Sequence, residues 1–133
     1  MAQFATRSAG NAGARIPLTD PVSGKTTDHW IDIFSTDSDV YIRANAKAMR
    51  NAAMRVEDEK DDEGARLDAM EENSLDILVA LVKDWSFAHL GEDSIPCTPE
   101  NARAFLKEAP QIRSAINRLS TDRSLFTKGN LEN

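Results

Sequence analysis

The stretch Leu75–Trp85, reading LDILVALVKDW, constrains this chain more than any other. Read at helical spacing, it continues a stripe that begins at Leu67, Met70, Ser74 and Ile77 and runs through Leu78, Leu81 and Trp85. Leu75, Val79 and Val82 widen that stripe to almost the full circumference. A helix that is apolar on all sides belongs in the centre of a domain. The pattern therefore predicts a core helix over about 74–85, with Leu78 and Leu81 fully buried. The continuous apolar run, Ile77 to Val82, is too short to span a bilayer, so no membrane partner is expected. At 133 residues, 41% hydrophobic and 29% charged, the chain has the length and balance of one globular domain.

The rest of the chain divides around that helix. Residues 1–14, rich in Ala, Gly, Ser and Asn without periodicity, read as a flexible N-terminal arm. Ile16 and Leu18 then alternate with polar positions, and Asp20-Pro21-Val22-Ser23-Gly24 is turn chemistry. Thr27 to Phe34 alternates again, with His29, Ile31 and Ile33 on one face. These two runs predict a β-hairpin over about 15–34. Asp37-Ser38-Asp39 supplies cap oxygens for a helix from about Val40. Its stripe of Ile42, Ala46, Met49 and Ala53, flanked by Tyr41, Ala44, Ala48 and Ala52, reads as an intramolecular seam or else as a partner-binding face. Gly64 marks a break before the core helix. Thr98-Pro99-Glu100 opens a further helix, Pro110 restarts it, and Ser120-Thr121-Asp122 can cap a last turn carrying Leu125 and Phe126. The expected fold class is mainly α: one small helical domain over 15–127 around the central helix, with a short N-terminal hairpin and a flexible tail at 128–133.

Charge is unevenly placed along the chain, whose formal net charge is −6. Residues 57–72 hold nine acids and two bases, whereas Thr98 to Lys128 holds six bases and three acids. This polarity suits contact between copies or with a charged protein, against the plainer reading of a solvated helix face. The residues expected to carry self-association are Glu57, Asp58, Glu59, Asp61, Asp62 and Glu63 on one side and Arg103, Arg113, Arg118 and Arg123 on the other. A phosphate backbone would be repelled except at the basic end, so no nucleic-acid partner is expected. A helix-turn-helix over Thr98–Glu108 and Gln111–Leu119, reading DNA through Arg113 and Arg118, is the minor alternative; its connection is very short and its second helix uses its face on Ile112, Ile116 and Leu119.

No motif announces catalysis. His29, His89 and Cys97 are the only soft ligands and share no metal-site spacing. Cys97 with His89 could form a nucleophilic pair, but a half-buried loop cysteine is the plainer reading. The acidic run EDEKDDE lacks the order of a calcium loop, and Gly24-Lys25 lacks the spaced glycine of a phosphate loop. The single cysteine forms no internal disulfide, which together with an N-terminus lacking an apolar run predicts a cytoplasmic chain without cofactors. Residues and patterning point to a non-enzymatic interaction protein.

The order of PVSGKTTDHWIDIFSTDSDVY, LDILVALVKDWSF and IPCTPENARAFLKEAPQIRSAINRLSTDRSLF, over roughly residues 15–127, resembles the tail assembly chaperones of long-tailed, lambda-like bacteriophages (siphoviruses). Pro21 to Gly24, Asp37-Ser38, the Leu-Val-x-x-Trp ending at Trp85, Thr98-Pro99-Glu100-Asn101 with Leu106 and Pro110, and Arg123 to Phe126 carry the likeness. It implies a small helical protein that coats and solubilises the tape measure protein and helps recruit tail tube subunits. It also implies a place in the host bacterial cytoplasm and not in the mature virion. Ribosomal frameshifting around Thr127-Lys128-Gly129-Asn130 would add a second domain that engages the tail tube protein. A structural head–tail component of the virion is the alternative. The family's binding sites are not local motifs, so the resemblance assigns no site residue.

Overall fold

The structure, a computed structural model, describes residues 4–59 and 62–127, the last five residues of the first stretch as backbone only. Along the chain come α1 (Thr6–Ala12), β1 (Ala14–Thr19), β2 (Thr26–Ile33), α2 (Asp39–Glu59), α3 (Glu63–Leu81), β3 (Val82–Trp85), α4 (Pro99–Glu108), α5 (Pro110–Leu119) and α6 (Arg123–Thr127).

The hairpin forms where period-two patterning predicts it. Ala14, Ile16 and Leu18 are buried and alternate with exposed Arg15, Pro17 and Thr19. The Asp20 carboxylate accepts from the backbone N–H groups of Val22 and Ser23 at 2.8 and 3.0 Å, and Gly24 closes the turn at φ 74°. The fold class expected from the sequence needs correction, because the hairpin is part of a three-stranded antiparallel sheet in the order β1-β2-β3. The domain is a mixed assembly of helices against a sheet, not a helical domain with an appended hairpin. Its core helix ends at Leu81, and residues 82–85 are a strand, with Ile31 opposite Trp85 and Asp32 opposite Asp84. The physical reason lies in β2, whose far edge carries backbone donors and acceptors that would otherwise be left open. Val82-Lys83-Asp84-Trp85 fits a helix by apolar spacing alone, but four residues with a β-branched start and an aromatic end also suit a strand. Pairing decides the outcome.

The inner face of the sheet packs on α3, α4 and α5. Leu75 and Leu81 are each 2% exposed and Trp85 is 1% exposed. Leu78 is a second correction. It is only half-buried, because it lines a groove of about 460 Å³ together with Tyr41, Ile77, Arg113 and Asn117. The helix starts and stops follow the capping chemistry. The Ser38 hydroxyl caps α2 by accepting from Tyr41 N–H at 3.1 Å, and Asp62 and Thr98 do the same for Ala65 and Asn101 at 2.9 and 3.2 Å. The break before α3 falls just ahead of Glu63, which leaves Gly64 inside its first turn.

Residues 6–12, placed in the flexible arm by composition, form α1. Arg7 donates to the Asp39 carboxylate at 2.6 and 3.2 Å, and the Asn11 amide brackets Asp39 by donating to its carboxylate at 3.1 Å and accepting from its N–H at 2.8 Å. Buried Gly10 is the contact point, since a Cβ there would lie 2.8 Å from Ser35 Cβ. The tail expected at 128–133 lies outside the described residues.

Two stability predictions follow this packing. Leu81→Ala should cost about 2–5 kcal/mol in chemical denaturation, whereas half-buried Leu78→Ala should cost roughly 1 kcal/mol; equal losses would contradict the placement of the groove. Gly10→Ala should destabilise the fold by about 1–3 kcal/mol through overpacking against Ser35, and an unchanged melt would show α1 to be detached.

Candidate functional site

Two regions concentrate side chains that sequence alone marks as chemically interesting. The first is the outer face of the sheet. Arg15 donates to Asp32 at 2.8 and 3.1 Å while its guanidinium sits 3.6 Å from the Trp30 ring centroid. His89 stacks on the same indole at 5.8 Å and pairs through Nε2 with Asp84 at 2.8 Å. Asp32 and Asp84 are direct cross-strand partners, a placement in which two carboxylates repel. Arg15 and His89 relieve that repulsion by each taking one of them, so the cluster acts as a clasp across the three strands. His29 Nδ1 lies 2.9 Å from the Ser86 hydroxyl, which also accepts from Trp30 N–H at 3.0 Å. Ser86 is fully buried and out of a substrate's reach.

Cys97 stands near this cluster. Burial first, and then the negative charges of Asp84 and Asp32, push its thiol up to about 11. A thiol held protonated at neutral pH is a poor nucleophile, which weighs against the Cys97–His89 pairing. Among the described residues, no group of three or more His, Cys, Asp or Glu side chains could hold a metal ion.

The second region is the antiparallel pair α2–α3. Ile42, Met49, Leu67 and Met70 are 55–65% exposed, and Met54 is 70% exposed. The α2 stripe is therefore not the seam. Ala48 is buried, and Tyr41, Ala44 and Ala52 are half-buried, so the alanine flank packs inward. Ile42, Met49 and Ala53 turn to solvent, with Ala46 half-buried beside them. Leu67 and Met70, read from periodicity as part of the core stripe, share with Ala52 and Asn73 an apolar groove of about 260 Å³.

The sequence-predicted charge cluster is largely engaged within the chain. Arg103 donates to Glu72 at 2.5 Å and also pairs with Asp76, and Lys107 lies 3.5 Å from Glu72. Arg113 lies 3.7 Å from Glu71. Arg123 donates to both oxygens of Asp37 at 2.7 and 2.9 Å and holds that carboxyl below its ordinary range. The stabilisation from Asp37 is thus present at neutral pH and fades as pH falls through its lowered folded value. Arg118 is exposed and makes no ion pair among the described residues. Asp62 caps α3 and Glu63 is exposed in its first turn. The side chains of Glu57, Asp58 and Glu59, and Asp61 as a whole, lie outside the described residues.

Residues the sequence reading passed over are Arg43, Lys47 and Arg50. All three are exposed on α2, spaced four and three apart, with Arg43 and Arg50 beside the Ile42–Met49 stripe. Their spacing was available as a signal, but the acidic window that follows dominates the charge profile.

With this geometry in view, the chain is phage-derived. A model of the YdaY prophage protein family matches residues 36–133, from the start of the α2 cap onward, and the chain belongs to that family. No curated protein and no solved structure matches it.

For Cys97 the expected behaviour is slow alkylation at pH 7–8 in the folded protein, rising as pH approaches 11 and becoming rapid on unfolding. Iodoacetamide labelling followed by mass spectrometry measures this; rapid labelling of the folded chain at pH 7 would contradict the raised thiol.

Proposed function

We propose that this prophage protein is a non-catalytic tail assembly chaperone that binds the tape measure protein, keeps it soluble and helps gather tail tube subunits around it. The observation that carries the reading is the row of large apolar side chains left in solvent on α2 and α3: Ile42, Met49, Met54, Leu67 and Met70. An exposed apolar surface of this kind is a liability unless a partner covers it. Methionine suits a client whose surface is irregular and changes along its length, because its unbranched thioether adapts to many shapes. Ala46 and Ala53 between the larger residues let a client helix come close. The order of sequence features that resembles phage tail assembly chaperones, together with membership of a prophage family, supports the same reading.

Under this reading the protein works in the host cytoplasm during assembly and is left out of the mature virion. A frameshift-extended form would bring the tail tube protein. Of the two arginines of the DNA-reading alternative, Arg113 is approached by Glu71 of α3 at 3.7 Å, which weighs against that alternative, while Arg118 stays exposed.

Co-expression with the tape measure protein of the same prophage tests the proposal. The chain should hold that protein in the soluble fraction and co-purify with it, and Met49→Asp with Met70→Asp should reduce the soluble complex several-fold while leaving the melting temperature close to wild type. Recovery of the chain in purified virions at stoichiometric amounts would overturn the chaperone reading in favour of a structural tail component.

A further inference from the structure

The two outward faces of the α2–α3 hairpin differ in charge. From Val40 to Met54, α2 contains three bases and no acid, in a chain of net charge −6. Arg43 and Arg50 lie exposed beside Ile42 and Met49, Lys47 lies further round at the groove shared with Asp76 and Glu100, and none of the three forms an ion pair among the described residues. On α3, exposed Leu67 has Glu63 one turn before it and Glu71 one turn after it, with Met70 and one base, Arg66, alongside, so the acids outnumber the base on this face. The ion pairs that Arg103, Lys107 and Arg113 make with α3 use Glu71, Glu72 and Asp76. Among the described residues they do not involve Glu63, and Glu71 stays 68% exposed with its partner at 3.7 Å.

We infer that, when no client is bound, the outward face of α2 in one copy is covered by the outward face of α3 in a second copy. The inference rests on the same hairpin surface as the chaperone reading and names what occupies that surface between clients. The match is one of length as well as sign. Arg43 to Arg50 spans about 10 Å of helix and Glu63 to Glu71 about 12 Å, at 1.5 Å per residue. Ile42 and Met49 then meet Leu67 and Met70, with the small Ala46 and Ala53 between them setting a short interaxial distance. A pair related by a two-fold axis makes this contact twice, α2 on α3 and α3 on α2, and closes as a four-helix bundle. Opposite charges set the register and the choice of partner, while the apolar side chains supply the burial. The surfaces expected from the sequence to associate, the basic C-terminal helices, are not needed; Arg103, Arg113 and Arg123 are already engaged within the chain.

Sedimentation of the purified chain alone, with no client present, tests the pairing. Wild type should be a dimer at high micromolar concentration in low salt and shift toward monomer as salt rises. Arg43→Glu, Lys47→Glu and Arg50→Glu together should give a folded monomer, and so should Glu63→Lys with Glu71→Lys. Mixing the two variants in equal amounts should restore a dimer containing one copy of each, which no loss of folding could produce. A wild type that remains monomeric, variants that dimerise as wild type does, or a mixture that stays monomeric would each overturn the inference. A chain that solubilises the tape measure protein yet never pairs would overturn this pairing while leaving the chaperone reading standing.

Discussion

The peptide joining Leu81 to Val82 holds the architecture together. There the chain passes from α3 to β3 with no loop between them, Val82 turning to an extended conformation at φ −76° and ψ 117°. The Leu81 carbonyl, free at the end of the helix, accepts from Phe34 N–H at 2.8 Å just beyond β2. One hydrogen bond therefore satisfies a helix terminus and fixes the sheet against it. Leu81 enters the core on the helix side, and four residues later Trp85 enters it opposite Ile31 on the sheet side. Trp85 meets Phe87 and Phe105 edge-on at 5.5 and 5.7 Å and donates from Nε1 to the Ile95 carbonyl at 2.8 Å. The aromatic contacts favour that tilted geometry, and the indole N–H is not left unsatisfied. α4 is placed through Phe105, and α5 follows one residue after it, at Pro110.

Charge then separates the hairpin into two halves with different tasks. From its middle onward α3 gives Glu72 and Asp76 to cations of α4, which ties it into the body of the domain, while Arg113 of α5 comes only within 3.7 Å of exposed Glu71. Exposed ion pairs add only about 0–1 kcal/mol each, so they orient these helices more than they stabilise them. Among the described residues, the first two turns of α3 and the bases on the outward face of α2 make no such ion pair. Large apolar residues are exposed in that region, and there the body of the domain offers nothing to cover them.

Much of the fold was legible in the sequence, and the failures have definite causes. The caps at Ser38 and Thr98 were legible because each acts within three residues of its own position, whereas the Asp62 cap was hidden inside the acidic run. The first hairpin was legible because Asp20 and Gly24 build its turn locally. β3 was not, because Val82 to Trp85 becomes a strand only through pairing with residues about fifty positions earlier. Helical periodicity also located the apolar positions of α2 and α3 without telling which face would find a neighbour. Ile42, Met49, Leu67 and Met70 carry the same pattern that core residues would. Only the packing shows that the alanine flank of α2 turns inward and leaves them out. The charge asymmetry of the chain was visible in composition, whereas the exposed bases of α2 are fewer in number than those of the C-terminal helices and stand out only once their solvent-facing positions are known.

On the proposed chaperone reading, a surface that holds a client and is also protected before the client arrives needs a cover that leaves readily. Pairing between copies meets that requirement when its affinity is moderate. A dissociation constant near 1 μM corresponds to about −8 kcal/mol, weak enough for a long client with many repeated contacts to displace the second copy. Ion pairs in solvent and methionine contacts give an interface of that strength, since neither locks a single geometry. A tighter core of leucine and isoleucine would make a permanent dimer and close the surface. The composition of α2, with alanine between methionine and isoleucine and cations to one side, therefore fits reversible covering better than a fixed oligomer. The stable part of the fold, anchored at Leu81 and Trp85, lies apart from the exposed apolar positions of α2 and α3, so under the proposed exchange the hairpin would change partners without loosening the core.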